Sequence, residues 1–213
     1  MRQPAGDVRS PDARSETAAV VVPIRSFGVA KQRLSPVSDP AARRALMQDL
    51  ASTALDACAP YPTAVVTSDL DVFDFVADRG VTLIDDPGSL DGAARRGQAW
   101  ARDIDVDRVV VMHADLPFAR DLHRLVEPGR ARIAALVPDQ RRDGTPLLSI
   151  PVDVTFAFAY GPGSFARHCL HAEAAGLAID VVDDPNLGFD VDLPEDLREL
   201  RRRVGVARPR PAG

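Results

Sequence analysis

Short β-branched, apolar runs alternate with longer segments of helical period along nearly the whole chain, and this alternation constrains the fold more than any other feature. The runs at 18–24, 63–67, 81–84, 108–112, 132–137, 146–150 and 178–183 read as strands. The intervening segments 40–59, 71–79, 91–102, 119–127, 164–175 and 194–204 read as helices; in the first, Leu46, Leu50, Ala54 and Ala57 share one stripe. Strand and helix in turn is the pattern of an α/β domain with a mainly parallel sheet. No internal repeat is visible. The expected organisation is one domain over 18–204, with disordered segments at 1–17 and 205–213.

Bulk properties narrow the partners. With 213 residues, 46% of them hydrophobic, the chain can bury a sizeable core. A net charge of -5 argues against a general nucleic-acid binder, so an anionic ligand would have to be met by local cations. Cys58 and Cys169 have no paired spacing for zinc and read as buried thiols in a reducing cytoplasm. The first 17 residues are polar, unlike a secretory signal, and no run reaches the roughly 18 to 20 apolar residues of a membrane span. A soluble cytoplasmic protein, monomer or homodimer, is expected.

In sheets of this kind ligands gather outside the carboxyl ends of the strands. That rim carries "PIRSFGVAKQRL", "TSD", "DDPGSLDGA", "HADLP" and "PDQRRDGTP". The first holds Lys31, the one lysine beside 25 arginines, in a glycine-containing segment suited to phosphate. In "VVVMHADLP" a strand delivers Asp115 to its end, where a carboxylate can hold Mg²⁺ or merely cap a helix. His113 lies on the strand and reads as packed. In "LGFDVDLPEDL", Asp190 and Asp192 point the same way if extended and could share metal; Asp192 with Glu195 also forms an acceptable capping box. In "GPGSFARH", Gly161 and Gly163 lead into Ser164, which reads as an anion-binding helix start or an ordinary N-cap. Thr145, in another glycine turn, could add a hydroxyl.

In order, these pieces resemble the guanylyltransferases that make the phosphodiester precursor of coenzyme F420. The resemblance covers about residues 18 to 200 and rests on "P-x-R-x-x-x-x-A-K-x-R-L" (23–34), "TSD" (67–69), "DPG" (86–88), "ADLP" (114–117), "D-G-T" (143–145), "GPGSFARH" (161–168) and "D-V-D-x-P-E-D-L" (190–197). It implies a three-layer, Rossmann-like fold of the nucleotide-diphospho-sugar-transferase type. It also implies GTP and a three-carbon phospho-acid as substrates: phosphoenolpyruvate foremost, otherwise 2-phospho-L-lactate or 3-phospho-D-glycerate. By motif, Asp115, Asp190 and Asp192 would hold Mg²⁺, and Thr145, Gly161 and Ser164 the acid. Pro23, Lys31, Arg33, Ser68, Gly88 and Asp91 would meet the nucleotide, with Lys31, Arg33 and Asp115 catalytic. The labile product would pass to a downstream transferase of the pathway. The chain departs from the family's pattern at Asp91 and Pro146, where asparagine is more frequent, at Arg25, where lysine is, and at His113.

Two other functions share some of these features. A sugar-nucleotide-dependent glycosyltransferase would also use Asp and Mg²⁺ but favours aromatic platforms, whereas this chain has 5% aromatics and one tryptophan, Trp100. A non-catalytic nucleotide-binding module would tolerate loss of the acid-binding hydroxyls.

Overall fold

The computed structural model describes residues 17–28, 31–127 and 129–207. Seven strands, β1 (Ala18–Pro23), β2 (Thr63–Val66), β3 (Thr82–Ile84), β4 (Arg108–Met112), β5 (Ile133–Val137), β6 (Leu147–Pro151) and β7 (Ala178–Val181), form one sheet in the order β3-β2-β1-β4-β6-β5-β7. Four of the six pairings are parallel, and β6 runs antiparallel to both neighbours. The helices are α1 (Pro40–Cys58), α2 (Leu70–Val76), α3 (Leu90–Asp103), α4 (His123–Val126), α5 (Ser164–Ala174) and α6 (Pro194–Ala207), with a 3-10 turn at Gln32–Leu34.

The sheet is buried on both faces, so its central strands are apolar at successive positions. Val20 and Val22 of β1, with Val110 and Met112 of β4, face a core completed by Leu50 of α1, Val72 of α2 and Leu197 of α6. Ala19, Val21, Val109 and Val111 face the opposite core, which holds Ala94 of α3 and Ala172 of α5. Helix α3 lies so close to β1 that a Cβ on Gly97 would meet Val21 at 2.4 Å. No side chain fits there.

Caps account for several helix starts. Asp39 accepts from Ala42 N at 2.8 Å ahead of Pro40, and Ser89 accepts from Gly92 N at 3.1 Å. Helix α4 is much shorter than the expected 119–127. The Asp121 carboxylate takes the His123 N–H at 2.8 Å, a local turn that competes with helix, and Glu127 ends the segment with ψ 143.

After β6 the chain turns at 152–154 and continues as an irregular strap, with Val152, Val154, Phe156 and Phe158 buried. It pairs with no strand. Its backbone is satisfied instead by side chains of α3 and α5. Gln98 Nε2 donates to Val154 O at 2.8 Å, Arg102 donates to Val152 O, and Arg167 Nη2 donates to Ala159 O at 2.9 Å.

The expected disordered ends fall largely outside the described residues. Thr17 is tied to Asp107 through its backbone N at 2.8 Å and its hydroxyl at 3.0 Å, and α6 runs on to Ala207. Both cysteines are free, but only Cys58 is buried, and burial pushes its thiol up to about 12; Cys169 is half-exposed. No described helix is long and apolar enough to cross a membrane.

Candidate active site

At the carboxyl ends of β1, β2 and β4 the chain opens into a cleft of about 570 Å³, whose walls include Pro23, Arg25, Gly88, His113, Asp115 and Asp192. Arg25 closes one side, donating to Gly88 O and lying 3.6 Å from Asp86.

Lys31 reaches the floor of this cleft. It takes the left-handed conformation (φ 56) directly before the 3-10 turn that buried Leu34 anchors in the core. From there its ammonium donates to Asp115 and, at 2.7 Å, to Asp192; its side chain is only 6% exposed. Burial disfavours the ammonium, but Asp115 and Asp192 outweigh it and hold the group above the ordinary lysine value. Burial likewise opposes ionisation of Asp115, and Lys31 beside it reverses the balance, so that carboxyl lies below its usual range. At Asp190 the attraction of Lys31 does not prevail. Burial of that carboxyl, then the charges of Asp115 and Asp192, lift it to about 7.

One oxygen from each of Asp115, Asp190 and Asp192 lies within 4.8 Å of the others. Asp115 Oδ1 and Asp190 Oδ1 are buried and have no hydrogen-bond partner. A buried carboxylate oxygen without a partner is costly, and three carboxylates against one ammonium leave negative charge uncompensated. This donor set fits a hard divalent cation such as Mg²⁺, which takes oxygen ligands.

The carboxylate that accepts at the start of α6 belongs to Asp196, not to Glu195 of the alternative capping box. Asp196 accepts the backbone N–H groups of Asp192 (3.0 Å) and Leu193 (2.7 Å), braced by Arg141 Nη2 at 2.7 Å. Relieved of capping, the Asp192 side chain is free to meet Lys31.

A second polar group forms where the β5–β6 loop meets the start of α5. The Asp139 carboxylate gathers the N–H groups of Asp143 (2.9 Å) and Gly144 (2.8 Å), and Asp143 accepts from Gly163 N at 3.0 Å. Gly161 (φ 103) and Gly163 (φ 72) are both left-handed, and Gly163 is the N-cap. Ser164 is therefore the first helical residue and not the N-cap, the second of the two readings open for it. Thr145 and Ser164 are buried with their hydroxyls 3.4 Å apart, and His168 Nδ1 lies 3.0 Å from Thr145 Oγ1. Ser164 N donates to Gly161 O at 3.0 Å, which places Gly161 in the same turn.

Aromatic rings connect this group to the cleft. Tyr160 packs on His168 (4.7 Å between centroids) and on His113 (5.5 Å). His113 is half-buried rather than fully packed; it lines the cleft, and burial holds its pKa below the ordinary histidine value. His168 and Tyr160 went unnoticed in the sequence. The available signal was the four-residue spacing of Ser164 and His168, which puts both on one helix face.

Three of the residues anticipated at the nucleotide do not line the cleft. The Ser68 hydroxyl donates to Asp85 Oδ1 at 2.6 Å and accepts from Asp86 N at 3.1 Å. Asp91 turns the other way and accepts from Tyr160 N at 2.7 Å, supporting the "GPGS" loop. Arg33 is exposed on the 3-10 turn.

Comparison with known proteins agrees with this architecture. Residues 18–202 match the family described as guanylyl transferase CofC like. A phosphoenolpyruvate guanylyltransferase of Sphaerobacter thermophilus is 34% identical over 197 residues, covering 89% of this chain and 95% of that protein. A 2-phospho-L-lactate guanylyltransferase of Methanothermobacter thermautotrophicus is 26% identical over 186 residues, covering 84% and 82%. Among solved structures, a Desulfovibrio desulfuricans G20 protein assigned to the nucleotide-diphospho-sugar transferases superposes with TM-score 0.73 at 20% identity, covering 89% and 88% of the two chains. That likeness speaks to the fold alone, a nucleotide-diphospho-sugar-transferase-like sheet with helices on both sides. The match over 18–202 settles the lineage: the chain belongs to the CofC-like guanylyl transferase family.

Proposed function

We propose that this protein transfers GMP from GTP to the phosphate of phosphoenolpyruvate, releasing pyrophosphate and forming the phosphodiester used in coenzyme F420 biosynthesis. The observation that carries the reading is the convergence of Lys31, Asp115 and Asp192 at the floor of the cleft, with Asp190 directly beside the two aspartates. Family membership and the names of the relatives support the choice of guanylyl donor and acid: the bacterial relative at 34% identity is a phosphoenolpyruvate enzyme, and the archaeal one at 26% uses 2-phospho-L-lactate.

The chemistry asks little of the protein in proton transfer. A phosphate monoester has a second pKa near 6, so the nucleophile is already mostly dianionic at neutral pH and no general base is needed. The demands are to offset repulsion between two anions and to align them. Lys31 supplies a buried positive charge at the floor. Asp115, Asp190 and Asp192 would hold Mg²⁺, which supplies charge neutralisation at phosphate oxygens when bound. The Thr145 and Ser164 hydroxyls, with the Gly161 turn, would anchor the acid. The glycine at 88 leaves room at the cleft wall for the nucleotide, beside Pro23. The labile diester would be consumed by a separate transferase.

The decisive experiment incubates purified protein with GTP, Mg²⁺ and each of phosphoenolpyruvate, 2-phospho-L-lactate and 3-phospho-D-glycerate, and measures pyrophosphate and the mass of the product. Phosphoenolpyruvate should give the highest kcat/KM and a product retaining one guanosine phosphate. Pyrophosphate release with none of the acids would overturn the reading.

A further inference from the structure

The hydrogen bonds around His168 determine which of its nitrogens carries the proton, and through it which way the buried Thr145 hydroxyl points. A backbone N–H can only donate, and Ala159 N lies 3.0 Å from His168 Nε2, so that nitrogen presents a lone pair. His168 is fully buried, and its burial, then the neighbouring His171 and Arg167, lowers its pKa to about 4. The neutral ring has one proton, and it must sit on Nδ1. Nδ1 is 3.0 Å from Thr145 Oγ1, so the ring donates and the threonine oxygen accepts. Thr145 must then direct its own hydrogen elsewhere. The protein group in reach is Ser164 Oγ, at 3.4 Å, a long contact that a better acceptor would displace.

We propose that His168 is a positioning residue that makes Thr145 a hydrogen-bond donor to the phospho-acid; this rests on Thr145 and Ser164 being the acid anchors. Carboxylate and phosphate oxygens are acceptors, so an anion needs a hydroxyl hydrogen facing it. With the other tautomer, Thr145 would give its hydrogen to the ring and turn lone pairs toward the anion. The same ring holds Ala159, one residue before Tyr160 and the "GPGS" turn, and is wedged against Tyr160 (4.7 Å) and Phe156 (6.0 Å). One side chain thus sets both the donor polarity of Thr145 and the position of the loop carrying Ser164.

Two replacements separate these roles. In His168→Asn the amide nitrogen can stand where Nδ1 stood and keep donating to Thr145; in His168→Gln the amide oxygen can stand where Nε2 stood and keep accepting from Ala159, but the donor to Thr145 is lost. With Thr145→Ala as reference, the KM for phosphoenolpyruvate should rise about ten- to a hundredfold in Thr145→Ala and in His168→Gln, and only a few-fold in His168→Asn, with the KM for GTP nearly unchanged in all three. The Thr145→Ala/His168→Gln double variant should be no worse than Thr145→Ala. If Thr145→Ala leaves the acid KM unchanged, the assignment of the acid site fails. If Thr145→Ala raises it and His168→Gln does not, the role of His168 fails. Nitrogen-15 NMR of the wild-type imidazole gives a readout independent of activity and of variant folding: the Nδ1–H tautomer is expected at pH 7, and an Nε2–H or doubly protonated ring would overturn the inference.

Discussion

At the scale of single residues, the floor of the cleft is a problem in charge balance. Lys31 bonds to both Asp115 and Asp192 but balances only one of their charges, and Asp190 sits beside them. The Asp190 carboxyl therefore holds its proton up to about 7 in the folded protein, whereas an unfolded chain releases it near the ordinary value of 3.8. Its contribution to metal-free stability is fully present below about pH 4 and lost as the pH rises through about 7. Asp190→Asn should flatten that decline and raise the metal-free melting temperature at pH 8 by about 3–8 °C. It should also reduce kcat/KM at least about a hundredfold. Thermal melts at pH 5 and 8, with turnover on the same samples, check both halves; full turnover would remove Asp190 from the site. Lys31→Ala should raise the KM for GTP and lower kcat, with Lys31→Arg recovering only part, because two short contacts to two carboxylates suit a compact ammonium better than a planar guanidinium. Wild-type kinetics for Lys31→Ala would exclude a role on the phosphates. Lys31 was legible as the chain's single lysine in a phosphate-like setting. Its pairing with two aspartates 84 and 161 positions away was not.

At the scale of elements, loops that hold one another decide what each residue does. Asp91, read from the sequence as nucleotide-binding, opens α3 but accepts from Tyr160 N on the far loop. Asp91→Ala should accordingly raise the KM for the phospho-acid several-fold while leaving that for GTP nearly alone, measured by varying each substrate at saturating levels of the other. The reverse pattern would return Asp91 to the nucleotide side. The same logic bears on the capping alternatives. "GPGS" and "DVDLPED" each contain a residue type that caps helices well, Ser164 and Asp192. In the fold Gly163 is the N-cap of α5, and the N–H groups of Asp192 and Leu193 go to Asp196, which Arg141 braces from the distant β5–β6 loop. The strap at 152–160 was hidden for a related reason: its alternate apolar positions resemble a strand, but its hydrogen bonds go to Gln98, Arg102 and Arg167 instead of to a sheet.

At the scale of the whole molecule, β1 and β4 lie inside the sheet and are buried on both faces, whereas β3 is an edge strand with two of its three residues exposed. Hydrogen exchange should therefore be slowest in the amides of β1 and β4 and faster by orders of magnitude in β3, read by mass spectrometry or NMR. Comparable protection of β3 and β1 would contradict the sheet order. The sequence by itself determined the α/β class and the number and approximate position of the strands, and it pointed to the carboxyl-end rim, where the cleft lies. These follow from local periodicity and from the burial that a mainly parallel sheet requires. It also marked Asp115, Asp190 and Asp192 as candidate metal ligands, since each lies in a short motif. Only the tertiary structure decided that β6 runs antiparallel, that Ser68 and Arg33 stand away from the cleft walls, and that His168 meets Thr145 at 3.0 Å. Strand direction and hydrogen-bond polarity depend on partners brought together by the whole fold, and no local pattern of residue types carries that information.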